Sequence, residues 1–131
     1  MLLAAGLSTR MRPLTYDIPK PLVPFLGKRI LDLTLDYLHH NGITEICTNV
    51  FHGREKYLSA LKPLNIRAFQ ERPNILGTGG GIKNMKSFIT DDHFLVLNCD
   101  FFRRRSANRL FISPKKRGDC DDGPHSIAAA I

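Results

Sequence analysis

The sequence predicts an α/β sandwich built on a mostly parallel sheet, and three observations predict it. Short apolar, β-branched runs alternate with segments of helical spacing along residues 1–100. That alternation implies parallel strands joined by right-handed crossovers. The polar and glycine-rich stretches fall where strands end, and in such sheets ligands bind beyond the carboxyl ends of the strands. With 131 residues, 43% of them hydrophobic, the chain supports one modest core.

Met1 to Ala5 reads as a buried strand. Gly6 to Pro24 is a long loop with four prolines and no periodicity. Ile30, Leu31, Thr34, Leu35 and Leu38 recur at helical spacing, and Asn41-Gly42 supplies a stop. Glu45 to Val50 is a second strand, and Arg54 to Leu61 a short helix ended by Pro63. Ile66 to Gln70 is a third strand. The turn "LGTGGG" opens a third helix that runs to Met85, with Thr78 as a candidate N-cap. "HFLVLNCD" is a fourth strand ending on Asp100. The Gly6–Arg12 loop, the Gln70–Gly81 loop and Asp100 should therefore meet at one edge of the sheet.

The formal net charge is +7, but residues 1–100 carry +3 and residues 101–131 carry +4. The basic excess is concentrated in the last quarter, which argues against a nucleic-acid-binding surface on the folded part. No segment approaches a transmembrane span. Met1 to Leu7 is too short for a signal-peptide core, lacks a basic leader and runs into Arg10 and Arg12, so the protein is expected in the cytoplasm. Cys47, Cys99 and Cys120 are too widely spaced to suggest a disulfide framework or a zinc site.

Residues 1–102 form one unit by this reading, and residues 103–131 an atypical basic tail. The tail holds an arginine run and an aspartate cluster and has no clean period. It reads either as disordered or as the product of a shifted reading frame. One base later, Gly118 to Ser126 permits "AIATMVLIP", an apolar strand.

The stretch "LAAGLSTRMRPLT" carries the first chemistry. A glycine turn after a strand lets backbone N–H groups converge on an anion. Ser8 and Thr9 add hydroxyl donors, and Arg10 offers a planar fork suited to phosphate oxygens. "PKPL" holds Lys20 on a proline-stiffened segment. A Walker P-loop is absent, and the glycines of "GTGGG" do not have the spacing of a dinucleotide fingerprint. Asp100, at a strand end, reads by itself as a cap of the next turn. His39, His40, His52 and His93 have no metal-ligand spacing, and Cys99 reads as a packed small side chain.

Taken together, "LAAGLSTRMRPLT…PKPL", "LGTGGG" and "LVLNCD" resemble the sugar-1-phosphate nucleotidyltransferases, or nucleoside-diphosphate-sugar pyrophosphorylases. Within them the likeness is to N-acetylmuramate-1-phosphate uridylyltransferases and mannose-1-phosphate guanylyltransferase-like proteins. It covers residues 1 to about 100, the nucleotide-binding half of that family's domain. The resemblance implies a Rossmann-like three-layer sandwich of the nucleotide-diphospho-sugar transferase type, here truncated. It also implies the reaction of a nucleoside triphosphate (UTP or GTP) with a sugar-1-phosphate, giving a nucleotide sugar and pyrophosphate.

By the resemblance Arg10 and Lys20 are catalytic, and Ala5, Gly6, Ser8 and Thr9 line the phosphate turn. Glu71, Gly77, Thr78, Gly79 and Gly80 fall where the family reads the base, and Asp100 binds Mg²⁺. The family's second half, with its sugar pocket and a second metal-binding aspartate, cannot be located. An inactive nucleotide-binding fragment therefore stands as the alternative to the enzyme, and a truncated sheet would also invite self-association through its exposed edge.

Overall fold

Leu2–Leu3 (β1) lies at the centre of a five-stranded sheet. Seen in the computed structural model, which describes residues 1–90, 93–100 and 126–129, the strand order is β5-β4-β1-β6-β7. Here β4 is Cys47–Val50, β5 is Arg67–Gln70, β6 is His93–Asn98 and β7 is Ser126–Ala129. Every pairing in this sheet is parallel. Leu2 stands opposite Thr48 on one side and Leu97 on the other.

The helices are α1 (Ile30–His40), α2 (Arg54–Leu61) and α3 (Gly77–Asn84). The chain moves from β1 outward to β4 and β5 through α1 and α2, then crosses back to β6 through α3. Right-handed crossovers therefore put α1 and α2 on one face and α3 on the other. Side-chain alternation along β4 agrees. Ile46 and Val50 join a core with Leu31, Leu35 and Leu38 of α1 and Tyr57 and Leu61 of α2. Thr48 shares a hydrogen bond with the Tyr57 hydroxyl, 3.2 Å away. On the other face, Cys47 Sγ lies 3.8 Å from Met85 Sδ just past α3, and Asn49 lies beneath Gly81. The result is the expected three-layer sandwich.

Local causes are visible in each helix. The residues picked out by spacing in α1 are the buried ones: Ile30, Leu31, Thr34, Leu35 and Leu38. Each fully buried leucine stabilises the fold by about 1.5–3 kcal/mol. The helix ends where Ile43 N–H returns to the Leu38 carbonyl and Gly42 adopts φ +79°. Pro63 ends α2 as a regular helix, and a 3₁₀ turn, Lys62–Leu64, carries the chain on to β5.

Three expectations need correcting. First, the loop before α1 contains a small antiparallel hairpin, β2 (Pro24–Phe25) and β3 (Lys28–Arg29). Its turn residues, Leu26 and Gly27, both have positive φ, the geometry that matches the twist of paired strands. Second, Thr78 does not cap α3. The cap position is Leu76, and the helix begins at Gly77, whose φ of +68° favours glycine. Third, the strands are shorter than expected: β1 and β6 stop at Leu3 and Asn98, where the chain turns toward the carboxyl edge, whereas β4 and β5 begin one or two residues late at Cys47 and Arg67.

The tail readings fall mainly on residues 101–125 and 130–131, outside the described residues; β7 is the described part of that region.

Candidate active site

At the carboxyl edge of the sheet is an open cavity of about 530 Å³, within the size range of small-molecule sites. Four strand ends contribute to it. The β1 end supplies Ala5, Gly6, Ser8, Thr9 and Arg10, with Lys20 further along the same loop. The β4 end supplies Asn49, and the β5–α3 connection supplies Glu71, Ile75, Gly77 and Thr78. The β6 end supplies Asn98, Cys99 and Asp100. The convergence expected from the pattern of strand ends is therefore present. Gly79 and Gly80 are not in the lining; they sit in the first turn of α3. A Cβ on Gly80 would lie 2.7 Å from Leu76 Cβ, so packing explains that glycine.

The β1 turn is held from below and behind. Asn49 Oδ1 accepts from Ala4 N–H at 2.6 Å and Ala5 N–H at 3.2 Å. Ser8 is left-handed, with φ 52° and ψ 33°. Its carbonyl accepts from Met11 N–H at 3.0 Å and from the hydroxyl of buried Thr15 at 2.8 Å. Among the described residues, and its own chain neighbours apart, Gly6 has no atom within 4 Å of where a Cβ would stand, and its φ is not left-handed. Neither packing nor conformation therefore requires glycine there.

Two arginines leave this turn with different fates. Arg12 lies over the Tyr16 ring, 5.2 Å from its centroid. Arg10 is exposed on the cavity wall and has no hydrogen bond, ion pair or ring contact among the described residues.

Lys20 is placed by its prolines. Pro19 is buried against Gly53 at the start of α2, where a Cβ would collide with the proline ring. Leu22 N–H donates to the Pro19 carbonyl at 2.8 Å, closing a 3₁₀ turn over Lys20–Leu22. Lys56 of α2 adds a hydrogen bond from Nζ to the Asp17 carbonyl at 2.7 Å. Thus fixed, Lys20 Nζ donates to Asp100 Oδ2 at 2.5 Å. The two residues singled out separately in the sequence form an ion pair across the cavity.

Asp100 has its own support. The hydroxyl of Thr34, fully buried on α1, donates to the carbonyl of Cys99 at 2.9 Å while also facing the Ile30 carbonyl at 3.1 Å. This contact fastens the end of β6 to α1, one residue before Asp100. Burial, with the Asp100 charge beside it, pushes the Cys99 thiol up to about 12. It stays protonated at neutral pH, so it is not a nucleophile.

Glu71 is fully buried, and both of its carboxyl oxygens are engaged within the protein. Oε1 accepts from Asn49 Nδ2 at 2.7 Å, and Oε2 accepts from Leu76 N–H at 2.7 Å. A carboxyl group there also suits the N-terminal end of α3. Among the cavity-lining carboxyl groups, Asp100 is the one paired with a side-chain cation, Lys20. One such carboxylate fits Mg²⁺, which takes one or two carboxylates and completes its shell with substrate phosphates and water. No cluster of three metal-ligating side chains occurs among the described residues.

Sequence reasoning does not single out Asn49, Thr15, Thr34 and Gly81 as parts of the site. Asn49 leaves a signal, a lone amide in a strand that is otherwise buried. Thr15 and Thr34 leave none, because a hydroxyl that bonds to backbone looks like any other threonine.

Residues 1–120 match the sequence model of the family described as Nucleotidyl transferase. The chain is 40% identical over 108 residues to N-acetylmuramate alpha-1-phosphate uridylyltransferase of Caulobacter vibrioides, covering 76% of this chain and 44% of that one. It is 36% identical over 115 residues to UTP--glucose-1-phosphate uridylyltransferase of Synechocystis, covering 76% of this chain and 30% of that one. Among solved structures, HddC of Yersinia pseudotuberculosis complexed with GMP-PN superposes with a TM-score of 0.65 at 32% identity, covering 77% of this chain and 47% of that one. The chain thus spans less than half the length of these relatives. With the family model matched over residues 1–120 and the fold shared with a solved relative, the chain belongs to the nucleotidyl transferase family.

Proposed function

We propose that the cavity binds a nucleoside triphosphate and transfers its nucleotidyl group to a sugar-1-phosphate. The observation that carries this reading is Arg10. It is an arginine without a protein partner among the described residues, on the wall of a cavity whose turn has a glycine that the fold does not require. Relatives named for uridylyl and guanylyl transfer to sugar phosphates support the substrate class, with UTP or GTP as donor.

In this reading the triphosphate lies along Gly6–Arg10, with donors from the backbone and from Ser8 and Thr9. Arg10 binds the β and γ phosphates and neutralises the pyrophosphate as it leaves. A sugar-1-phosphate oxygen attacks the α-phosphorus, the bond to the bridging oxygen breaks, and the electron pair departs with pyrophosphate. No general base is needed, because the attacking monoester is already anionic. Lys20 holds the reacting phosphate oxygens. Asp100 would hold a Mg²⁺, which supplies charge neutralisation on the phosphates. Gly77 and Thr78 border the space for the base, Gly79 and Gly80 follow them in the first turn of α3, and Glu71 supports that turn from beneath.

A cytoplasmic setting suits a nucleoside triphosphate substrate and, among the described residues, the free, buried thiols of Cys47 and Cys99. No helix among the described residues is long and apolar enough to cross a membrane. Self-association through the outer edge of β5 belongs to the same proposal.

The test is to incubate the chain with UTP or GTP, Mg²⁺ and glucose-1-phosphate or N-acetylmuramate-1-phosphate. Pyrophosphate and nucleotide sugar should appear together, and both should disappear in Lys20→Met. Nucleotide binding without pyrophosphate would replace turnover by this chain with nucleotide binding alone.

A further inference from the structure

We infer that Asn49 and Glu71 are positioning residues that strap the phosphate turn to the loop opening α3. This inference rests on the reading above, in which residues 4–10 hold phosphate. The strap runs from Ala4 and Ala5 N–H to Asn49 Oδ1, from Asn49 Nδ2 to Glu71 Oε1, and from Glu71 Oε2 to Leu76 N–H. It joins the ends of β1, β4 and β5 through side chains that are 3% and 1% exposed.

The chemistry fixes its direction. Two backbone N–H groups on one side of Asn49 demand an acceptor, and a carboxyl oxygen on the other demands a donor. One orientation of the amide satisfies both. Glutamine at position 71 could not replace glutamate, because it would meet one of its two donors with an NH₂.

Gly81 completes the arrangement. A Cβ on this helical residue would stand 2.8 Å from Asn49 Nδ2 and 2.9 Å from Glu71 Oε1. The α3 backbone therefore closes directly over the strap, sealing it from water, where buried hydrogen bonds are hardest to exchange for solvent. Glu71 thus sets the phosphate turn without touching it. Order in the 71–78 loop and order in the 4–10 turn become one property, so a base seated on the first prepares the second for the triphosphate.

The test is Glu71→Met, which keeps the volume and removes both acceptors. Amide hydrogen exchange at Ala4 and Ala5, which Glu71 does not contact, should accelerate at least about tenfold, the effect of weakening a buried hydrogen bond. Exchange in the β4–β5 ladder should stay as in the parent. Inorganic tripolyphosphate, which has no base, should bind about tenfold more weakly. Unchanged exchange at Ala4 and Ala5 would overturn the strap.

Gly81→Ala is the second variant, should Glu71→Met fail to fold. Its methyl pushes on the same two atoms and should accelerate exchange at the same two amides; unchanged exchange there overturns the inference equally. If the parent chain binds no tripolyphosphate, the phosphate reading fails, while the exchange result still decides whether the strap exists.

Discussion

Two glycines two residues apart in α3 should respond to alanine with opposite signs. Gly79 is exposed; among the described residues, its chain neighbours and its own helix backbone apart, no atom lies within 4 Å of where an alanine methyl would stand, and its φ is not left-handed. Alanine there relieves the backbone entropy cost of glycine in a helix and should stabilise the fold by about 0.5–1 kcal/mol. Gly81 gains the same propensity, but its methyl would stand 2.8 Å from Asn49 Nδ2 and 2.9 Å from Glu71 Oε1. Both atoms belong to a buried 2.7 Å hydrogen bond. Breaking a bond to a buried carboxylate costs about 1.5–3 kcal/mol, against about 1 kcal/mol of propensity. Gly81→Ala should therefore destabilise by about 0.5–2 kcal/mol, a fall in Tm of about 2–10 °C for a chain of this size. Urea and thermal denaturation of both variants measure this directly. A Gly81→Ala protein as stable as its parent would refute the close-approach argument. A destabilised Gly79→Ala would show that the open face of α3 is misplaced.

Other perturbations follow from the same contacts. Thr34→Val keeps the shape of α1 but leaves the Cys99 carbonyl without its 2.9 Å donor; a loss of about 1 kcal/mol in urea unfolding is expected, and a neutral result would remove Thr34 from the support of Asp100. Hydrogen bonds from Arg29 hold the Asp32 carboxyl below its ordinary value, so the folded state binds its proton less readily than the unfolded chain. That stabilisation is complete above the ordinary carboxylate pKa and is lost as pH falls through the lowered folded value. The pair is partly exposed, so Asp32→Asn should cost under about 1 kcal/mol at pH 7 and progressively less as pH falls below the ordinary carboxylate range; a cost that does not shrink with falling pH would contradict the assignment. Cys99, 4% exposed and protonated, should resist iodoacetamide at pH 8 until the chain unfolds, and rapid labelling of the native protein at the peptide that carries Cys99, resolved from those of Cys47 and Cys120, would contradict its burial.

The helices were legible because their burial is periodic. The spacing of Ile30, Leu31, Thr34, Leu35 and Leu38 names the face of α1 that enters the core, and Pro63 marks where α2 stops being regular. The β2–β3 hairpin was not legible: two exposed two-residue strands offer no alternation, and Leu26-Gly27 is not the usual residue pair for a turn with two positive φ values. Nor was the cap of α3. The group facing its first turn is Glu71, five residues before Leu76, which no local pattern can announce.

The site divides along the same line. Residues that touch the cavity carry their chemistry in their type, so Arg10, Lys20 and Asp100 could be singled out, and "PKPL" foretold how Lys20 is stiffened. Residues that act from behind carry it only in their contacts. Asn49 and Thr34 matter because of which backbone groups they reach across the sheet, at sequence separations of 45 and 65. Glu71 lies between these cases. Its position suggested a ligand contact, and its buried carboxyl group spends both oxygens on the protein.

The most direct test is calorimetric titration of the chain and of Arg10→Ala with UTP and with GTP, each with Mg²⁺. The account predicts one saturable site for at least one of the two nucleotides, weakened at least about tenfold by loss of the arginine's hydrogen bonds to phosphate. Absence of binding by both nucleotides, or equal affinity in parent and variant, would contradict it.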